Sequence, residues 1–273
     1  MTAPAPDVVV EPDAEHLARA AADALVARLA AAQAVHGSAS VVLTGGGVGI
    51  AVLEQVAALA EEPVRETIDW ERVDVWWGDE RFVPADSDER NEKQARAALL
   101  GRVGVPEHRI HAMPASDGEF TEPEDAAAWY AGELAAAAPD GSDVPRLDLL
   151  LLGMGPEGHV ASIFPDSSAV EDGRSVVAVR DCPKPPPTRV SLGFAAINAA
   201  EEVWLLVAGG GKAPAVASAL AGADAAQLPA AGVHGSRATR WLLDEAAAAD
   251  LPGRPWARTV TARRRSTGQG SPP

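Results

Sequence analysis

The sequence predicts an α/β fold, specifically a single-domain, Rossmann-like three-layer sandwich with a mostly parallel sheet. Short, continuously apolar segments alternate with Ala-rich segments of helical spacing along the 273 residues. This alternation is typical of parallel strands covered by helices on both faces. Glycine-rich or charged stretches follow several of the apolar segments, as expected where the carboxyl ends of strands form a ligand site.

The first half of the chain begins with a short apolar segment at residues 8–10, which a long Ala-rich helix follows. Asp13 can cap that helix, Leu17, Leu25 and Leu29 form its apolar stripe, and Gly37 ends it. Runs of apolar residues predict further strands, and Ala-rich or amphipathic spacing predicts further helices. The strands are predicted at 39–43 and 73–77, and the helices at 13–35, 48–60, 89–100 and 124–138.

The second half contains the most apolar predicted strand of the chain, at residues 147–152. Lys184-Pro185-Pro186-Pro187 predicts a rigid, extended loop because consecutive prolines favour polyproline geometry. The helix that follows Gly209-Gly210-Gly211 is predicted to end near Leu220. The remaining strands are predicted at 175–180, 189–192, 203–208 and 239–243.

Composition predicts a globular, acidic protein, with 47% apolar residues and a formal net charge of −16 at pH 7. Such a surface repels phosphate backbones and anionic lipids, so neither nucleic acid nor a membrane is an expected partner. Five arginines and no acid lie between residue 253 and the end. We therefore predict a folded domain at 1–252 and a disordered basic tail at 253–273.

The predicted location is the cytoplasm. Cys182 is the only cysteine, so an internal disulfide is impossible, which suits a reducing compartment. The first residues lack the basic and apolar regions of a signal peptide. The expected assembly is a monomer or a small homo-oligomer.

A phosphate pocket is predicted from a glycine loop and two basic residues. Gly45, Gly46 and Gly47 connect a strand to a helix, where backbone N–H groups and the helix N-terminus favour an anion. Lys212, one of three lysines in the chain, and Arg189 add positive charge at the presumed ligand edge.

His159 is the candidate catalytic residue. It follows a glycine-rich turn after the most apolar strand, and its ordinary pKa near ~6.5 lets it exchange protons at neutral pH. The turn also matches the dinucleotide pattern Gly-x-Gly-x-x-Gly, but Pro156 and Glu157 stand where a pyrophosphate would lie, so this remains a minor alternative. The other histidines show no metal-ligand spacing.

Asp79-Glu80-Arg81 is the second candidate, at the carboxyl end of the strand at 73–77. Arg81 can hold a carboxylate or an oxyanion by a two-pronged hydrogen bond. Asp79 can orient either Arg81 or His159, and Glu157 is an equally possible partner of His159. The residues alone leave this choice open.

Several segments occur together in one order along residues 8–245: 44–47, 77–84, Glu89-Arg90-Asn91, 153–165, 186–191 and 210–212. Together they resemble the family of 6-phosphogluconolactonases and glucosamine-6-phosphate isomerases. The segments around His159 and around Asp79-Glu80-Arg81 are specific to the family, whereas the glycine loop is not.

The resemblance implies hydrolysis of 6-phospho-D-glucono-1,5-lactone to 6-phospho-D-gluconate, a step of the oxidative pentose phosphate pathway, without a metal or organic cofactor. It makes His159 the catalytic histidine and makes Arg81, Arg189 and Lys212 basic pocket residues. From their position at the strand end, we expect Arg81 and Asp79 to act with His159 in catalysis. Glu157 and Asn91 are expected behind the reacting groups. Two departures are Glu157 in place of the frequent aspartate and Gly47-Val48-Gly49-Ile50 after the first glycines.

Other function classes remain open at this stage. An amino-sugar-phosphate isomerase or deaminase is disfavoured, because the similar enzymes with that activity have a glutamate at the position of Phe164. A non-catalytic sugar-phosphate sensor would use the same pocket without turnover. A dinucleotide-dependent oxidoreductase is the last alternative.

Overall fold

Parallel strands form the central sheet of the computed structural model, which describes residues 5–61 and 68–253. Its strands are β1 (Asp7–Glu11), β2 (Ala39–Leu43), β3 (Val73–Trp77), β5 (Leu149–Gly153), β8 (Glu202–Val207) and β9 (Ala238–Asp244). The order across the sheet is β1-β9-β8-β5-β2-β3, and every neighbouring pair is parallel. The predicted α/β class and mostly parallel sheet are confirmed.

Helices connect these strands. They are α1 (Ala14–His36), α2 (Gly46–Ala60), α3 (Asn91–Ala95), α4 (Pro123–Ala137), α5 (Phe194–Ile197) and α6 (Ala213–Leu220). The Asp13 side chain caps α1 by accepting the His16 N–H, and Gly37 ends the helix in the left-handed region, with φ 76°. Both termini therefore agree with the prediction.

A second, antiparallel sheet was not predicted. It contains β4 (Asp79–Arg81), β7 (Arg189–Leu192) and β6 (Val176–Val179), in the order β4-β7-β6. Asp79-Glu80-Arg81, interpreted above as a segment following a strand, is itself a short strand. Its register pairs Arg81 with Arg189, which places two residues of the predicted pocket side by side.

The Glu80 carboxylate connects β4 to the start of α3. It accepts the backbone N–H groups of Arg81, Asn91 and Glu92 at 2.8, 2.8 and 2.9 Å. Because these amides are satisfied by a buried carboxylate, α3 begins at Asn91 rather than at the predicted residue 89. Burial raises the pKa of Glu80. The chain continues as a π-helical turn through residues 96–100.

The core lies between the sheet and its helices, and Trp76, Trp77 and Trp204 are among its largest fully buried side chains. Among the described residues, none of the helices combines the length and apolarity needed to cross a membrane. The basic tail predicted at 253–273 lies outside the described residues beyond Gly253.

Tyr130 supports the end of β3 from beneath. Its hydroxyl accepts the Trp77 N–H at 3.0 Å and donates to the His111 carbonyl at 3.1 Å. Burial raises its pKa, so the hydroxyl keeps its proton at neutral pH. The contact holds the backbone two residues before Asp79.

Replacing Tyr130 with phenylalanine is expected to lower the free energy of unfolding by about 1–3 kcal/mol, because the buried Trp77 N–H loses its acceptor. Urea unfolding followed by fluorescence measures the change. Trp129→Phe, at a neighbouring side chain that is 39% exposed, is the matched control and should cost less. An equal loss in both variants would contradict the role given to the hydroxyl.

Candidate active site

A cavity of about 300 Å³ opens at the carboxyl ends of β2, β5 and β8. The loops that follow these strands meet there because neighbouring parallel strands end at the same edge. Every predicted site residue except Glu157 lines the cavity, and Glu157 contacts one that does. The lining residues from that prediction are Gly45, Gly46, Gly47, Asp79, Arg81, Asn91, His159, Arg189 and Lys212.

A tight turn after β5 holds His159. The Gly155 N–H donates to the His159 carbonyl and the Gly158 N–H to the Gly155 carbonyl, both at 3.0 Å. Gly158 adopts φ +85°, the left-handed region that glycine enters most easily. A Cβ atom on Gly155 would fall 2.0 Å from the His159 Nδ1 atom. The glycine spacing thus lets the imidazole lie directly over the turn, and no cofactor is needed to explain it.

Glu157 is the hydrogen-bond partner of His159. Its Oε1 atom lies 2.9 Å from the His159 Nδ1 atom. A carboxylate accepts hydrogen bonds, so Nδ1 carries the proton of the neutral ring and Nε2 keeps a free lone pair. The Phe164 ring stacks on the imidazole, with centroids 4.5 Å apart and planes at 25°. The ring is therefore held at one edge and on one face.

Burial lowers the pKa of His159, and the nearby Lys184 ammonium lowers it further, while Glu157 acts in the opposite direction. The net decrease favours a neutral imidazole at pH 7, which is the form that accepts a proton. Burial alone would raise the pKa of Glu157. Its own backbone N–H, His159 and Lys184 outweigh that effect and lower it, so Glu157 is ionised.

Asp79 is directed elsewhere. Ser162 donates its hydroxyl to Asp79 Oδ2 at 2.6 Å, and the Asn91 amide donates to the Asp79 carbonyl at 2.8 Å. Arg81 donates from Nη1 to the Glu89 carbonyl at 2.6 Å. Within the described residues, the hydrogen bonds of Asp79 reach neither His159 nor the Arg81 side chain. Asp79 is therefore held in the wall of the cavity by Ser162 and Asn91.

Arg189 holds the proline-rich loop. Its guanidinium donates to the carbonyls of Pro186, Lys184 and Pro185 at 2.9, 3.1 and 3.3 Å. Its Nη1 atom also lies 3.7 Å from an oxygen of Asp79. Most of its donors are thus occupied within the protein, and its predicted contact with phosphate stays a prediction.

Two lysines lie on the wall of the cavity. Lys212 directly precedes α6. Its pKa is lowered mainly by burial and, to a smaller extent, by repulsion from Lys184. The sequence predicts Lys184 only as part of a rigid loop, and its position at the cavity is a finding of the structure. The signal that could have identified it is the rarity of lysine in this acidic chain.

The glycine loop lies against Asn91. A Cβ atom on Gly45 would fall 1.9 Å from the Asn91 Oδ1 atom, so only glycine fits there without displacing the amide. Gly46 adopts φ +83° at the start of α2. The Thr44 hydroxyl accepts the Gly153 N–H at 3.3 Å and ties this loop to the one that carries His159. The first N–H groups of α2 have no partner within the helix and are available to an anion.

One group of possible metal ligands occurs among the described residues, formed by His36, Asp148 and Glu201. It lies at the amino ends of β2, β5 and β8, the edge opposite the cavity. Arg28 lies 2.8 Å from Glu201 and 3.8 Å from Asp148. Both carboxylates are thus already paired with the Arg28 guanidinium, and the group lies away from the cavity.

The chain is similar to known lactonases over most of its length. Residues 12–241 match the family model described as glucosamine-6-phosphate isomerases/6-phosphogluconolactonase. The 6-phosphogluconolactonase of Mycobacterium tuberculosis is 53% identical over 90% of this chain and 98% of its own length. That of Streptomyces coelicolor is 54% identical over 90% and 95%. The solved 6-phosphogluconolactonase of Trypanosoma brucei has a TM-score of 0.76 at 28% identity and covers 92% of this chain and 100% of its own.

Replacing Glu157 with glutamine is expected to lower the pKa of His159. The negative charge that favours the imidazolium is removed, whereas burial and Lys184 remain. NMR titration of the His159 ring, assigned with His159→Ala, measures the change. Glu171→Gln, at an exposed carboxylate that does not line the cavity, is the control and should leave that titration unaltered. An unchanged or higher pKa in the Glu157 variant would show that the partnership is wrong.

Proposed function

The chain belongs to the family of glucosamine-6-phosphate isomerases and 6-phosphogluconolactonases, and on that premise we propose the reaction that it catalyses. It hydrolyses 6-phospho-D-glucono-1,5-lactone to 6-phospho-D-gluconate, and so acts on a carboxylic ester within a ring. The observation that carries the proposal is the His159–Glu157 pair, at 2.9 Å, which opens onto the same cavity as the cations.

His159 acts as the base and then as the acid. With Nδ1–H donated to Glu157, the free Nε2 lone pair takes a proton from water as the water oxygen bonds to the lactone carbonyl carbon. The tetrahedral intermediate then breaks its bond to the ring oxygen. The imidazolium returns the proton to that oxygen, which becomes a hydroxyl, and a carboxylic acid is released that ionises in water.

Negative charge on the carbonyl oxygen is stabilised by nearby donors. The Arg81 guanidinium and the amides at the start of α2 line the same cavity, and one well-placed donor contributes about 3 kcal/mol to the transition state. Asp79 and Asn91 maintain the shape of this wall through the hydrogen bonds described above.

The phosphate group supplies binding energy far from the reacting carbon, and this energy orients the ring against His159. Lys212 and the Gly45–Gly47 amides hold it, while Arg189 contributes positive charge and keeps the neighbouring loop in place. A small cationic pocket is the arrangement that an acidic protein requires for an anionic substrate.

Ring opening with deamination is disfavoured at this site. Phe164 stands at the sequence position where the resembling deaminases have a glutamate, and its apolar ring stacks on His159 with centroids 4.5 Å apart. The scheme assigns no step to a metal or an organic cofactor. We place the reaction in the cytoplasm, in agreement with a buried, unpaired Cys182.

Replacing His159 with alanine is expected to reduce the catalysed rate about 10²–10⁴-fold, the range typical of a lost general acid–base group. Base consumption on adding fresh phosphogluconolactone measures it, after subtraction of the spontaneous reaction. His234→Ala, at an exposed position outside the cavity, is the control. Near-normal turnover by the folded His159 variant would refute the mechanism.

Replacing Gly155 with alanine is expected to lower the same rate at least about 10-fold. The new methyl group overlaps the His159 ring and must displace it from its position. Gly132→Ala adds a methyl group on α4 where no atom lies within 4 Å and should keep full activity. If both variants are equally active, the close packing of the ring on the turn has no functional weight.

A further inference from the structure

Lys184 shares the carboxylate that holds His159. Its Nζ atom lies 3.1 Å from Glu157 Oε1 and 3.2 Å from Oε2. The same Oε1 atom accepts the hydrogen bond from His159 at 2.9 Å. One carboxylate thus accepts hydrogen bonds from an imidazole and an ammonium together. The strength of its hydrogen bond to one therefore depends on the strength of its hydrogen bond to the other.

The backbone of Lys184 is fixed, whereas its side chain is free to move. Arg189 donates to the carbonyls of Lys184, Pro185 and Pro186, which fixes the path of the loop. The Lys184 side chain is 43% exposed and has several rotatable bonds. An exchange of partner by its ammonium therefore requires only a change of rotamer.

The charged groups around Lys184 favour the binding of an anion. Glu157 is the carboxylate in contact with it, while the Lys212 ammonium, on the same cavity wall, repels it. A tetrahedral dianion that enters the cavity would meet the Lys184 and Lys212 ammoniums, with Glu157 behind Lys184. The other charged groups that line the cavity are Asp79, Arg81 and Arg189.

We infer that Lys184 is a positioning residue that exchanges partners, pairing with Glu157 in the empty enzyme and with the phosphate group of the substrate when it is bound. The inference rests on the proposed function, since it assigns the phosphate to the substrate. Its consequence is that substrate binding releases Glu157 to His159 alone.

The exchange changes the basicity of His159 when the substrate binds. With Lys184 beside Glu157, the ammonium lowers the pKa of His159. Withdrawal of that charge raises the pKa, and the negative charge of the ligand acts in the same direction. A bound phosphate group thereby makes the imidazole a stronger base, and by reciprocity a protonated imidazole binds the anion more tightly.

NMR titration of His159 with sulfate as the probe tests the exchange, because sulfate stays a dianion throughout the titration. Lys184→Met should raise the pKa of His159 without sulfate. Saturating sulfate, compared with chloride at equal ionic strength, should raise this pKa more in the wild type than in Lys184→Met. Lys184→Arg should behave like the wild type, and so should Lys93→Met, at a lysine that contacts Asp88 outside the cavity.

Equal sulfate effects in the wild type and Lys184→Met, or an unchanged pKa in sulfate-free Lys184→Met, would overturn the inference. Steady-state kinetics provide a second measurement, in which Lys184→Met should raise KM for the phosphorylated lactone about 10-fold, as expected for one lost charged contact. An unaltered KM would also overturn it. The titration needs no turnover, so failure of the proposed lactonase reaction is distinguishable from failure of the exchange.

Discussion

The shared direction of the central strands is the constraint on which the site depends. Since β2, β5 and β8 run parallel, their carboxyl ends lie along one edge, and the loops that follow them enter a common space. The glycine loop, the His159 turn and the Lys212 segment are distant in sequence and meet for this reason. Thr44 adds a direct link between the first two loops. An antiparallel neighbour would place one of these loops at the opposite edge.

The charge of the cavity lining is opposite in sign to the net charge of the chain. The chain carries a formal charge of −16 at pH 7, yet Arg81, Lys184, Arg189 and Lys212 all line one small cavity. Most of these cations also have partners within the protein, such as Glu157 for Lys184 and the loop carbonyls for Arg189. These cations thus hold neighbouring parts of the protein in place and also give the cavity its positive charge. Removing one of them changes both the local structure and that charge.

The sequence predicted the parallel sheet well because its strands are continuous apolar runs, a pattern that depends only on burial. It failed on β4, since Asp79, Glu80 and Arg81 are charged and none of them resembles a strand residue. Glu80 is buried only because three backbone N–H groups and the start of α3 surround it. Two of these donors, Asn91 and Glu92, lie 11 and 12 residues away along the chain and have no local signature.

The site residues likewise divide into those that the sequence pattern predicts and those that depend on contacts between distant segments. The predicted residues next to glycine turns at strand ends line one cavity, because their position follows from the fold class. The partner of His159 remained undecided between Asp79 and Glu157, since the choice depends on rotamers and on Ser162, whose hydroxyl engages Asp79. Lys184 was missed because a proline-rich loop reveals its rigidity and not the direction of its side chains.

The Phe164 ring covers one face of the His159 imidazole, and the turn at Gly155 lies close to the same ring. The Nε2 lone pair lies in the plane of the imidazole, so a ring stacked on a face leaves that lone pair open and fixes the plane in which it points. In the proposed reaction, the water that His159 activates therefore lies in that plane. Phe164 thus fixes the direction of proton transfer without taking part in it.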